Sequence, residues 1–361
     1  MPKSWIYFIN FLLLSHSFVE FTVFGTIYED PKLTWADWWT YSSEYTGPKT
    51  WGYQPDQAGW KACKDGKYQS PIDISGDSLK YDSSLTNVHI GGSEKANGIL
   101  KNDGRELIFT LDSRTFIHIH GGPLVYSYRL DHVKIHFGAT NNLGSEHSFN
   151  KMHFPAEVQL HFYNDILFEN YSVAVNKPNG LTVVSVFIEV NANGTYEPFK
   201  SVFNKGIQKI KYKGERKSIK NADILNLIPD TQTYVTYEGS ITIPGCFEGV
   251  TWILYNRPIS VAKWQMRKIR ETVRSSKENA TYGSLLLNNF RPRQPINGRI
   301  IRTNINGFYT EQGRSCSSNE VTFSAGSQKY LVNNSYQQLR RSFMAKDPHQ
   351  STSAVAADNH I

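Results

Sequence analysis

Three cysteines in 361 residues allow at most one internal disulfide and leave one thiol over. In a secreted chain an odd cysteine points to intermolecular pairing or to a free reactive thiol. Only one long apolar run exists, at the N-terminus, and the chain ends in polar ADNHI, which argues against a GPI-tail signal. Charged residues make up 20%, too few for a disordered polyelectrolyte. The sequence shows no internal repeat, no nucleic-acid motif and no Ser-His-Asp arrangement. What it does have is 39% hydrophobic and 13% aromatic residues, enough for one large packed domain with appendages.

The N-terminus places Lys3 before an apolar run from Trp5 to Leu14, and Ser15 to Glu20 then interrupts it. This predicts a secretory signal over 1–25 rather than a membrane span, so the mature chain would carry no transmembrane segment. Residues 26–49 form a Trp- and Tyr-rich lead-in, expected to pack back onto the domain or to serve in binding. The globular unit is expected over 50–306, and a polar tail, partly disordered, over 307–361. Four N-x-S/T acceptors, at Asn170, Asn193, Asn279 and Asn333, agree with secretion and glycosylation. The leftover thiol is Cys316, in the tail, where a covalent link to a partner or a second copy is sterically open.

Short alternating segments dominate the globular part: 99–100, 106–111, 132–137, 157–163, 181–190 and 251–256. Turn residues such as NDGR, GGP, NNLG and KPNG separate them, as a β protein requires. Helical pattern is confined to 197–205 and 260–275. The expected class is mainly β (α+β), with a few peripheral helices. The net charge is +7, and part of it sits in Lys205 to Lys220 (KGIQKIKYKGERKSIK). That stretch reads as a solvated basic face, or more pointedly as a dock for an acidic partner or sulfated glycans.

The run from Arg129 to Asn164 carries most of the chemical information. It contains RLDHVKIHFG, GSEH and AEVQLHFYN. Strand alternation puts Lys134 and His136 on one face, and Glu157 and Gln159 on one face. These segments resemble the zinc site of the α-carbonic anhydrases. The resemblance extends from Trp51 to Asn304 through WGY, QSPIDI, GGPL, KPNGLTVVSVFIEV, YEGSITIPGCFEGVTWILYNRPISV and NNFRPRQPINGRIIRTNI. It implies a single domain built on a large, mostly antiparallel twisted sheet. Three histidines hold zinc in that family. Lys134 stands at the first ligand position, His136 keeps the second, and Gln159 stands at the third.

By the same resemblance, Thr242 stands at the hydroxyl gatekeeper and Glu146 at its acceptor. Trp252 and Val183 fall on the apolar pocket wall. Arg105 falls at the proton-shuttle position, where a guanidinium cannot shuttle because it stays charged. Ile243 and His161 replace other pocket residues. Cys63 and Cys246 fall where secreted members carry a disulfide. Gln159, the RTNI end and the Cys-containing tail resemble the carbonic anhydrase-related proteins of the X/XI branch. That likeness implies a secreted, acatalytic chain without a metal cofactor, with an extracellular or cell-surface protein partner, neurexin-like and neuronal. The alternative is an enzyme, a carbonate dehydratase or esterase with residual or relocated-metal activity. His118 and His120, an H-x-H joined by His136 or His161, would supply the relocated ligands.

Overall fold

The computed structural model describes residues 38–55, 59–191, 194–281 and 283–306. The expected signal, residues 26–37 of the lead-in, Asn193, Asn333, Cys316 and the tail lie outside the described residues. Among the described residues no helix is long and apolar enough to cross a membrane.

Ten strands form one continuous path within a 13-stranded mixed sheet. In chain order they are β1 (Leu79–Tyr81), β2 (Ala96–Asn102), β3 (Leu107–Leu111), β4 (Tyr128–Phe137), β5 (Ala156–Tyr163), β6 (Leu181–Asn191), β7 (Arg216–Ala222), β8 (Tyr234–Ser240), β9 (Glu248–Tyr255) and β10 (Ile301–Thr303). Their spatial order is β7-β2-β3-β4-β5-β6-β9-β8-β10-β1. Pairing is antiparallel except between β6 and β9 and between β10 and β1. A further parallel strand, Ile259–Ala262, extends the pairing of β6. The expected mainly β architecture therefore holds, with parallel pairs inserted near the centre and at one edge.

Alternation explains the edges and fails at the centre. β2 shows the one-sided burial of a sheet with one face on the core. In β5 every residue is buried, and in β4 all from His132 onward. Val133, Ile135 and Phe137 of β4 join Val158, Leu160 and Phe162 of β5 in the main apolar cluster. The opposite face of the same two strands carries His132, Lys134, His136, Glu157, Gln159 and His161, all buried. A buried polar face is stable only when its groups are paired, so the site must satisfy itself internally.

Two expected helices shorten. The 260–275 pattern yields a helix only over Lys263–Thr272, because Ile259–Ala262 joins the sheet. The 197–205 pattern becomes one α-helical turn, Glu197–Phe199, followed by π-helical Lys200–Asn204. Cys63 and Cys246 are joined by a disulfide across a sequence separation of 183. In the chain-entropy view a loop of this size stabilises by about 5 kcal/mol at most. Trp39 of the lead-in packs with Trp51, Trp60 and Cys246 in a small separate cluster. Asn170 and Asn279, two of the glycosylation acceptors, are exposed.

Candidate functional site

β4 and β5 pair in a register that sets Lys134 opposite Gln159, His136 opposite Glu157, and His132 opposite His161. All six side chains belong to the polar face, so the three positions expected to matter converge.

Lys134 does not point to solvent. Its Nζ donates to Glu106 at 3.0 Å and 3.3 Å, and both residues are buried. Burial alone would raise the Glu106 carboxyl, but the Lys134 charge and its hydrogen bonds prevail and hold it below the usual carboxylate range. The Tyr41 hydroxyl donates to the same carboxylate at 3.2 Å. Burial, and then the Glu106 charge, push the Tyr41 phenol well above its ordinary value. The Tyr41 ring also stands edge-on to the His136 ring, with centroids 6.4 Å apart. Arg105 lays its guanidinium 4.3 Å over the Trp39 ring and approaches Asp103 at 3.7 Å. The lead-in therefore contributes directly to the site. Glu106 and Tyr41 were missed in the sequence, since neither lies in the Arg129–Asn164 run.

His136 keeps the orientation of a ligand. Its Nδ1 donates to the Asn289 carbonyl at 2.6 Å, which leaves Nε2 as the lone-pair nitrogen. That Nε2 is buried without a hydrogen bond and lies 3.6 Å from Glu146 Oε2. Gln159 turns its amide nitrogen to two carboxylates, Glu146 Oε2 at 2.9 Å and Glu157 Oε1 at 3.0 Å. Its oxygen accepts from His161 Nε2 at 3.3 Å. Glu157 also accepts from His147 Nδ1 at 2.9 Å, from the His147 backbone N–H at 2.9 Å and from Ser185 Oγ at 2.8 Å. Burial would raise the Glu157 carboxyl, yet His147 draws it down to about 2.

Thr242 is buried. The two Glu146 oxygens accept from Gln159 and, at 2.9 Å, from the Arg291 backbone N–H. Val183 and Trp252 sit opposite each other in register, both fully buried. Ile243 packs partly buried against the same apolar cluster. His161 fills the pocket side. It stacks on His132 with centroids 4.5 Å apart and contacts Tyr171 Oη at 3.2 Å. Burial first, then the cations around it, hold its imidazole well below the ordinary histidine value.

The framework implies zinc, and the donor set does not fit it. A catalytic zinc needs three nitrogen or carboxylate donors and one open position. Of the side chains at the three positions only His136 offers an imidazole nitrogen, and His132 Nε2 on the same face is likewise buried without a hydrogen bond. An ammonium repels a dication, and the Gln159 oxygen already accepts from His161. Nor does the H-x-H rescue the site. His118 contacts Asp165 at 3.1 Å and His120 stacks on His89. Among the described residues no group of three or more His, Cys, Asp or Glu side chains could hold a metal ion.

Two outcomes follow from this geometry. Glu106→Gln leaves the buried Lys134 ammonium without its counter-charge and should lower unfolding stability by about 3–5 kcal/mol in denaturant titration. Replacing both residues by Leu should be milder, since no stranded charge remains. Second, His161 and His132 both have depressed folded-state values. The unfolded chain therefore binds their protons first, and stability falls as pH drops below about 6.5. A thermal midpoint that declines between pH 7 and pH 5, with a shallower decline in His161→Val, is the expected result.

The comparisons agree with this architecture. A family model for eukaryotic-type carbonic anhydrase matches residues 46–305. The chain is 36% identical over 266 residues to carbonic anhydrase-like protein 2 of Caenorhabditis elegans, an alignment covering 72% of this chain and 77% of that protein. With its large mixed sheet and its shared segments, this chain belongs to the eukaryotic-type carbonic anhydrase family.

Proposed function

We propose that the chain is a secreted carbonic anhydrase-related protein that does not hydrate CO₂ and acts as an extracellular protein-binding module. The observation that carries this reading is the donor set. Of the three side chains at the family's ligand positions, only His136 offers a nitrogen lone pair. Lys134 is tied up by Glu106, and Gln159 faces two carboxylates with its NH₂ group. Carbonic anhydrase chemistry depends on zinc lowering the pKa of a bound water to ~7, and these three side chains do not make a ligand set for that ion. Arg105, at the shuttle position, adds a second obstacle, since guanidinium does not exchange protons near neutrality.

Secretion is supported by the apolar N-terminal run, by the four acceptor sites and by the Cys63–Cys246 disulfide, a bond that persists in oxidising compartments. The partner would be a cell-surface protein, neurexin-like by the X/XI resemblance, with Cys316 as the residue for a covalent link.

The test pairs metal analysis with catalysis. After dialysis against zinc, the purified protein should hold well under one equivalent and hydrate CO₂ at the buffer rate. Lys134→His with Gln159→His, combined with Glu106→Ala to remove the stranded carboxylate, should bind one zinc. Stoichiometric zinc and hydration above background in the unmodified protein would overturn the proposal.

A further inference from the structure

The charge of this chain is not spread over its surface. Lys205 to Lys220 contains seven cations, Lys205, Lys209, Lys211, Lys213, Arg216, Lys217 and Lys220, against the single Glu215. That leaves six net positive charges in one short segment, out of +7 for the whole chain. The segment folds into one place. A short turn, Ile207–Lys209, leads into β7, which forms one end of the ten-strand path and pairs only with β2.

Three observations show that folding does not account for this face. None of the seven cations forms a salt bridge to a carboxylate among the described residues. Glu215 is engaged locally, accepting the Tyr212 backbone N–H at 2.7 Å. Arg216 of β7 lies directly opposite Lys101 of β2, and both are exposed. Like charges directly opposite each other in an antiparallel pair are destabilising, so this pairing opposes the strand contact that it decorates. Lysines on an edge strand do discourage edge-to-edge pairing, but that role needs neither Arg216 facing Lys101 nor the cations of the preceding turn.

We infer that this face is a binding site for a sulfated glycosaminoglycan. The isoleucines of the segment, Ile207, Ile210 and Ile219, are buried in the main cluster. The exposed surface is mainly cationic, with Ile99 of β2 opposite Ser218 and the half-buried Tyr212 beneath Lys211 as the apolar groups beside it. A flexible chain of closely spaced sulfates complements it by charge alone. The inference rests on the secreted reading for where such a polymer would be met, but binding itself is measurable whatever the compartment.

The experiment uses the full chain on immobilised heparin at about 0.15 M salt, where the Debye length is ~8 Å. Binding that weakens steeply with added salt is expected. The variant Lys213→Gln/Arg216→Gln/Lys217→Gln/Lys220→Gln should lose about ten-fold or more in affinity and show a shallower salt dependence. The control Lys49→Gln/Lys67→Gln/Lys80→Gln/Lys177→Gln removes the same charge elsewhere, including on β1 at the opposite end of the strand path. It should change affinity by less than about two-fold. Far-UV circular dichroism confirms that both variants fold. The inference fails if the unmodified chain does not bind, or if both variants weaken equally. It also fails if desulfated heparin binds as well as heparin, or if poly-glutamate does; the poly-glutamate result would assign the face to an acidic protein. None of these outcomes bears on zinc content, so the inference and the proposed function fail separately.

Discussion

A buried ammonium 3.0 Å from a buried carboxylate, Lys134 with Glu106, sets the character of the polar face shared by β4 and β5. Neither charge could sit there alone, because an isolated ion in a low-dielectric interior is strongly unfavourable. Together they fix three elements. Lys134 belongs to β4, Glu106 stands at the start of β3, and Tyr41 brings the lead-in onto the same carboxylate. The pair puts a buried positive charge on the polar face, where the resemblance implies a zinc ligand. It cannot perform the metal's chemistry, since it offers no open coordination position and no activated water.

Gln159 has the complementary effect on β5. Its amide is neutral, yet it donates to Glu146 and Glu157 and accepts from His161. A histidine there could not serve both carboxylates and a neighbouring imidazole in this way, because it has only two ring nitrogens. The network continues through His147 to Tyr237, whose hydroxyl lies 2.6 Å from Nε2. Like His132 Nε2 on the same polar face, His136 Nε2 is buried without a hydrogen bond. Its Nδ1 is still fixed by Asn289, the same device that orients metal-bound histidines.

Much of this was legible in the chain itself. Lys134, His136 and Gln159 stood out because strand alternation and their flanks fix which face each occupies. The disulfide partners followed from the resemblance, and the two cysteines do meet. Glu106 and Tyr41 were invisible for a physical reason. They reach Lys134 and Glu106 across 28 and 65 residues of chain, and no local periodicity reports such pairings. The 260–275 helix came out short because Ile259–Ala262 is an apolar run that suits helix and strand equally, and only its parallel pairing with β6 decides.

The most direct test of the central claim, that an ion pair and an amide network stabilise the buried polar face in place of zinc, is thermal unfolding near pH 7.5 with EDTA and with excess zinc. A ligand that binds only the native state raises the midpoint in proportion to its affinity and concentration. The account predicts the same midpoint in both solutions. A zinc-dependent rise of several degrees, lost on chelation and on His136→Ala, would contradict it.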